Sequence, residues 1–345
     1  MRNKLTTVSE YALKRSKTQD FIKRYGMAFI FIAPHLLFFL VFCIYPLFYG
    51  IYMSLFRYSI SKPWDNEWRG LTYYFTLLFD KTSTYNQTFW YALGNTAAFA
   101  VIIVPLSIII PLFMAICVNA KPRGYKLFRA IIYLPSILPV SASGIMFAAL
   151  FGNPSFGYIN QWFGTSVNWL DSKPMLAWFV ILLLCLWGGW GGNFIILNAG
   201  LKNVDRSLYE AAAVDGCTGI RKAFAVTLPA IKQQLILCIF NTIIGYFGLY
   251  GQIYVLTGGG PISDYHEQST MSVMWYLQRL VNDQPGNRYY AHDGYGMASA
   301  MGLLLGIIIG IITALQLIIT RERKSGNKRQ KEYAEYIKTK EKVNE

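Results

Sequence analysis

Charge is what this sequence has least of. Only 14% of its 345 residues are Asp, Glu, Lys or Arg, where a soluble domain carries about 25%, and several long stretches hold none. Such stretches exclude an ordinary water-soluble domain. They also hold no carboxylate or base for a proton or ion relay, which speaks against an ion-coupled carrier. Sodium coupling through carbonyls and hydroxyls stays open. A G-x-x-x-x-G-K-[ST] phosphate loop is missing, so the chain is not its own ATPase. No Ser/His/Asp set or pair of carboxylates suggests catalysis, so no catalytic residue is assigned. Histidine is confined to His35, His266 and His292, too dispersed for a metal site. Of the five cysteines, Cys43, Cys117, Cys185 and Cys238 fall in or at the ends of apolar stretches and Cys217 in a polar one. That pattern gives neither a disulfide framework nor metal-ligand spacing. No cofactor is expected on this chain.

What the sequence has is apolar length. Six stretches run from Met27 to Leu55, Trp90 to Val118, Ala130 to Phe151, Met175 to Leu201, Leu235 to Leu256 and Tyr295 to Thr320. Each can cross a hydrocarbon core about 30 Å thick as a helix. The fold class expected is therefore all-α, a polytopic membrane protein with six transmembrane helices. The first stretch exceeds a signal-peptide core, and no small-x-small cleavage site follows it. The net charge of +14 might suggest nucleic acid, but its distribution argues for topology. Residues 1–26, 119–129, 202–234 and 321–345 together hold 25 of the 32 Lys and Arg, while the other three loops hold 7, with 8 acids. Basic residues are retained in the cytoplasm, so both termini are placed there. The chain divides into a cytoplasmic tail (1–26), a membrane domain (27–320) and a basic cytoplasmic tail (321–345). Within the membrane domain lie a cytoplasmic loop at 205–229 and an external loop at 257–294.

The cytoplasmic loop reads EAAAVDGCTGIRKAFAVTLP from Glu210 to Pro229. Leu208 to Val214 are good helix formers, and Ser207 with Glu210 has the capping-box spacing. Asp215-Gly216 is a turn signal. Thr218 to Val226 can resume as a second short helix carrying Arg221 and Lys222, and Pro229 stops it before the next apolar stretch. Two short helices would expose small alanines and a few charges, a surface that a partner can approach closely. On geometry alone this is also how an ordinary helix-turn-helix linker reads.

The same loop resembles the EAA loop of permease subunits in ABC importers, with Glu-Ala-Ala, Asp-Gly and Leu-Pro at matching spacing. Ile220 and Ala223 depart from it, standing where an aromatic residue and a Phe are usual, with Phe224 adjacent. More of the chain is similar to the carbohydrate-type permeases of the maltose and glycerol-3-phosphate group. The matching segments are APHLLFFLVFCIYPLFYGIYMSLF in the first stretch, NPSFGYIN at Asn153 to Asn160, Ala199-Gly200-Leu201 leading into Leu208-Tyr209-Glu210, and Tyr254 to Pro261. Residues before about 25, after about 322 and in Gln284 to Tyr295, read as an outside insertion, fall beyond the likeness. The resemblance implies a type I ABC importer core in a bacterial cytoplasmic membrane. Its partners would be a second permease, two cytoplasmic ATPase subunits holding ATP and Mg, and an external sugar-binding protein. Glu210, Ala211, Ala212, Asp215, Gly216, Leu228 and Pro229 would couple to the ATPase.

A sugar needs hydrogen-bond partners, aromatic faces and room. Trp187-Gly188-Gly189-Trp190-Gly191-Gly192-Asn193 supplies all three midway along the fourth stretch. Gly189 and Asn193 share a helix face. Asn241, Thr242, Tyr246, Tyr250 and Gln252 in the fifth stretch can face the same space. The resemblance places substrate contacts near Gly188, Gly189, Gly192, Thr242, Tyr246 and Leu249. The alternative is helix packing by small residues, with Asn193 and Asn241 as interhelical hydrogen bonds. Pro105 and Pro111, and Pro135 and Pro139, are expected to kink the second and third stretches. Outside, Gln268 to Val281 can form an imperfect amphipathic helix, with Met271, Met274 and Trp275 at i, i+3 and i+4. It would touch the binding protein or the membrane surface.

Import of a carbohydrate, an oligosaccharide by preference, is the function expected. The alternatives are a permease for a glycerophosphate-like solute, which needs bases in the cavity, and a non-transporting scaffold or sensor.

Overall fold

A computed structural model describes residues 26–27, 30–58, 66–152, 154–155, 157–261, 268–282 and 294–343, the side chains of Ile220 and of 320–343 excepted. Nearly all of the N-terminal tail and of the 284–295 insertion, with Asn153 and Phe156 of the Asn153–Asn160 segment, lies outside the described residues.

Four helices are long and apolar enough to cross a membrane without interruption: α1 (Ile30–Ser54), α3 (Thr84–Asn119), α7 (Pro174–Lys202) and the part of α13 from Gly294 to Ile319. Two further crossings are bent pairs. The third apolar stretch forms α4 (Tyr125–Ile137) and α5 (Val140–Phe151), which meet at 98°. In the other, α9 (residues 219–230), whose part from Ala223 belongs to the pair, meets α10 (Lys232–Phe247) at 69° across Ile231, ahead of the fifth apolar stretch, which begins at Leu235. A second break at Gly248–Tyr250 then separates the short α11 (Gly251–Leu256). Counting each bent pair as one span gives the six expected. Shorter elements are α2 (Thr72–Phe79), α6 (Tyr158–Phe163), α8 (Arg206–Val214) and α12 (Val273–Asn282). A two-residue antiparallel ladder pairs Phe56 with Trp68 and Arg57 with Glu67.

The prolines behave differently in the two places where kinks were expected. α3 runs unbroken through Pro105 and Pro111. In the third stretch Leu138 is extended (φ −71°, ψ 136°) and so is Pro139 (φ −59°, ψ 144°). The ring of a proline disfavours helical geometry at the residue before it, and here two consecutive extended residues produce the bend.

Lipid tails are as apolar as leucine, so close packing and hydrogen bonds hold such helices together. α3 and α7 lie side by side at the centre. One buried cluster contains Phe89, Phe99, Ile103, Val180, Ile181, Tyr276 and Met301, and a second contains Ile108, Ala115, Phe194, Leu197, Ile231 and Cys238. Between them along α3, α7 and α10 sits a buried polar layer of Ser107, Asn193 and Thr242. α1 packs at the edge on α13, and none of its most apolar window is buried. α13 runs as one helix from Gly294 into the basic C-terminal segment, as far as Val343.

α12 is shorter than the Gln268–Val281 helix expected, starting at Val273. Its apolar face is turned inward: Met271, Trp275 and Tyr276 are buried. It is a packed part of the bundle that contacts α3 and α13.

Candidate functional site

At the level of the polar layer a cavity of about 440 Å³ opens between α4, α5, α7 and α10. α7 contributes Leu184, Cys185, Gly188, Gly189, Gly192 and Asn193 to its wall. Asn241, Thr242, Gly245 and Tyr246 come from α10, with Gly248, Leu249 and Gln252 from the break and α11. Ser136, Leu138, Val140 and Ser143 from the bent third stretch complete it. No Asp, Glu, Lys, Arg or His is among these residues.

Seven of the nine substrate-path residues expected from sequence line this space. Trp187 does not: its ring packs 5.8 Å from Phe147 in the core. Tyr250 points away from it and stacks on Tyr254, ring centroids 5.5 Å apart. The glycines divide as well. A Cβ at Gly188 or Gly192 would meet nothing within 4 Å, whereas at Gly191 it would lie 2.5 Å from Ser136 Oγ. Gly188 and Gly192 therefore make room, and Gly191 permits close packing of α7 on the bend. Ser136 and Ser143 were missed. Their signal was Pro-Ser-Ile-Leu-Pro, because a proline after Leu138 forces that residue extended and turns the flanking hydroxyls into one cavity.

Asn193 has a specific task. Its Nδ2 donates to the Ser107 carbonyl at 2.8 Å and to Thr242 Oγ1 at 3.0 Å. Pro111 has no N–H to give to the carbonyl four residues earlier, which is that of Ser107. The amide of α7 supplies the missing donor, as neighbouring helices do for proline in membranes. The Tyr246 hydroxyl spans the same junction, donating to the Cys185 carbonyl at 3.3 Å.

At one end of the bundle, residues 257–261 and 268–272 pack on α3 and α7. Tyr91, Asn95 and Trp178 donate to the Ser269 carbonyl at 3.3, 3.2 and 3.3 Å, and Asn95 also reaches the Met271 carbonyl at 3.1 Å. The Ser272 hydroxyl donates to the carbonyl of Leu249. Residues 269–272 are thus tied to α3, α7 and the break after α10.

At the opposite end stands the polar hairpin. Asp205, not Ser207, caps α8, its carboxylate accepting from the Ser207 N–H at 3.0 Å. That backbone hydrogen bond, with a smaller contribution from the Ser207 hydroxyl, lowers the Asp205 pKa from its ordinary value. Capping from two residues before Ser207 wins because an aspartate in extended geometry reaches the N2 amide directly. The far end of α8 closes with Gly216 at φ +73°, the Cys217 N–H on the Ala212 carbonyl and the Gly216 N–H on that of Ala213. This is a Schellman closure, which needs a residue tolerant of the left-handed region. Pro229 does not end the second helix. The turn Ala223–Thr227 is π-helical and the Leu228 N–H reaches the Ala223 carbonyl, so the chain stays helical to Ala230 and breaks at Ile231. Tyr209 and Thr227 hydroxyls lie 3.3 Å apart and the Lys222 ammonium sits 5.1 Å from the Tyr209 ring, joining the two arms. Ala212 is buried at this join, while Glu210, Ala211, Asp215, Gly216 and Pro229 are exposed. Leu228 is half-buried. Phe224 and Val214 stand out at 67% and 89% exposure.

Residues 107–325 match the model of a protein family described as "Binding-protein-dependent transport system inner membrane component". The chain belongs to this family. The match takes in both the cavity and the hairpin, and identifies a multi-pass permease component of an ABC importer in the plasma membrane. Among its relatives is the arabinooligosaccharides transport system permease protein AraP of Halalkalibacterium halodurans, 30% identical over 307 residues, covering 87% of this chain and 89% of that one. The lactose transport system permease protein LacF of Rhizobium radiobacter is 28% identical over 330 residues, 93% of this chain and 100% of that one. The fold is that of a chain in the crystal structure of a bacterial ABC transporter involved in the import of the acidic polysaccharide alginate. The two agree with a TM-score of 0.71 at 20% identity over 89% of this permease and 99% of that chain.

Proposed function

We propose that this permease forms half of the path for an uncharged oligosaccharide, and that its energy comes from a separate ATPase bound at the 205–230 hairpin. One observation carries the substrate reading: a cavity whose wall alternates hydroxyls, amides and a tyrosine with glycines and aliphatic side chains, with no charged side chain. A neutral polyol exchanges water hydrogen bonds for these groups without burying a charge. A glycerophosphate would find no cation in this wall. The named substrates of relatives, arabinooligosaccharides and lactose, point the same way.

The hairpin supports the second half of the proposal. Its exposed face combines Glu210 and Asp215 with small Ala211 and the apolar Val214 and Phe224. Phe224 offers an apolar knob next to Ala223, where the resemblance led one to expect a phenylalanine. Positive-inside topology puts this face and both termini in the cytoplasm and residues 257–272 outside, where a binding protein would deliver substrate. A second permease would close the open side of the cavity, and ATP and Mg would bind the ATPase subunits alone.

The test is uptake by vesicles containing the assembly purified from native membrane in mild detergent. Mass spectrometry should find an ATPase and a second permease with this chain. Gly188→Trp should abolish uptake while leaving assembly intact, because a side chain there enters open space. Glu210→Arg should abolish uptake with the cavity unchanged. Normal uptake in Gly188→Trp removes the path assignment, and normal uptake in Glu210→Arg removes the coupling assignment.

A further inference from the structure

A second hollow, of about 310 Å³, lies beside the first, between α11 and α12. The break after α10 divides the two. Leu249 and Gln252 face the inner cavity, whereas Tyr250 and Tyr254 face the outer one. The alternation follows from the backbone. Tyr250 leaves helical geometry at φ −138°, ψ −58° before α11 resumes, so adjacent residues address opposite spaces.

The outer hollow has a distinct chemistry. The Tyr250 and Tyr254 rings stack nearly parallel, 24° between planes, and Tyr254 is 60% exposed. Across from them stand Trp275 and three carboxamides, Gln268, Gln278 and Asn282. Arg279 also lines it, donating to Gln268 Oε1 at 2.6 Å and lying 5.8 Å from the Trp275 ring. The Trp275 indole N–H is buried and has no hydrogen-bond acceptor among the described residues. A flat aromatic surface opposite a row of planar amide donors and acceptors suits one ligand class. A pyranose or furanose ring has an apolar C–H face and a rim of hydroxyls.

We infer that this hollow is an outer glycosyl subsite, holding the next sugar unit of a chain whose end occupies the inner cavity. The inference rests on the proposed oligosaccharide path and adds where a longer substrate is gripped. Tyr250 and Tyr254 carry the ring face, and the amides of α12 address the hydroxyl rim. Leu249 and Tyr250 are consecutive, so only the backbone of the break, about 3.8 Å from Cα to Cα, separates the two hollows, and the saccharide chain would pass around it. Selection by length follows: a disaccharide fits the inner cavity alone, and longer chains gain the outer contacts.

The experiment uses the complete assembly in nanodiscs and a mixture of neutral plant-cell-wall oligosaccharides of two to six units, with mass spectrometry of what is retained. The wild-type assembly should retain the longer members preferentially. Tyr250→Ala with Tyr254→Ala should reduce retention of chains of three or more units about tenfold, the loss of base-sized aromatic stacking, and leave two-unit retention within about twofold. Tyr254→Phe, which keeps the ring, should behave as wild type. Equal retention of long chains by the alanine variant overturns the subsite, as does a groove filled by the second permease in a structure of the assembly. If Gly188→Trp abolishes retention while the tyrosine variant does not, the path stands and the outer subsite falls. Retention of nothing by the wild type overturns both.

Discussion

α3 and the third apolar stretch each contain two prolines, and only one of them breaks. In α3 the rings at 105 and 111 interrupt nothing, and the helix runs 36 residues. In the third stretch the prolines at 135 and 139 accompany a 98° bend. The rings are identical, so the surroundings decide. α3 lies along α7, and Asn193 replaces the N–H that Pro111 cannot offer to the Ser107 carbonyl. At Pro139 the carbonyl four residues back, that of Pro135, is instead taken by the Leu138 N–H at 3.2 Å, which closes a tighter turn. The chain turns there and places Ser136 and Ser143 on a cavity wall. Pro111 is carried through a helix whose neighbour supplies the lost donor, whereas Pro139 follows a local turn that satisfies the same carbonyl within its own segment.

That contrast can be broken from either side. The largest effect is expected from replacing Pro135 and Pro139 together with alanine. The third stretch should straighten, Ser143 should leave the cavity, and uptake should fall to background. Labelling of Ser143→Cys by a soluble thiol reagent reports the movement, and unchanged labelling with normal uptake would show that packing alone imposes the bend. Next comes Asn193→Leu, which leaves the Ser107 carbonyl and the Thr242 hydroxyl without their donor. It should lower stability by about 1–2 kcal/mol in a denaturant titration. In a Pro111→Ala background the new N–H serves Ser107 itself, so the same substitution should cost about half as much. A full-sized cost there would separate Asn193 from the proline.

The smallest effect concerns a cap. The Asp205 pKa is lowered in the folded hairpin. Its cap is therefore fully present above the unfolded value of about 3.9 and is lost as pH falls through the lower folded one. Protection of the Ser207 amide, its exchange relative to an unstructured chain at the same pH, should fall in acid, and Asp205→Ala should reproduce this at neutral pH. Protection that does not change with acid would assign the cap elsewhere.

Much of this was legible in the residues. Uncharged length marked the spans, and Asp215-Gly216 marked the turn that the Schellman closure occupies. The glycine cluster and Thr242–Tyr246 located the cavity, because room and hydroxyls at midspan have few other uses. What failed was orientation. Trp187 and Gly188 are neighbours about 100° apart on a helix, and no local signal says which of them meets Phe147. Tyr250 was misplaced because the break at Gly248 changes the periodicity that was used to aim it. Ser207 lost the cap to Asp205 by a register of two residues, a choice that depends on backbone geometry and not on residue type. The bend at Pro139 was expected; that α3 runs unbroken through Pro105 and Pro111 needed knowledge of what lies beside it, which one sequence does not contain.

α13 is continuous from Gly294 to Val343, of which residues 294–319 qualify as a span. The remaining 24 residues extend the same rod by about 36 Å at 1.5 Å per residue. Since no joint separates the two parts, a tilt of about 5° at the membrane sweeps the tip sideways by about 3 Å. The rod is thus a pointer whose far end magnifies rotations too small to resolve at its base.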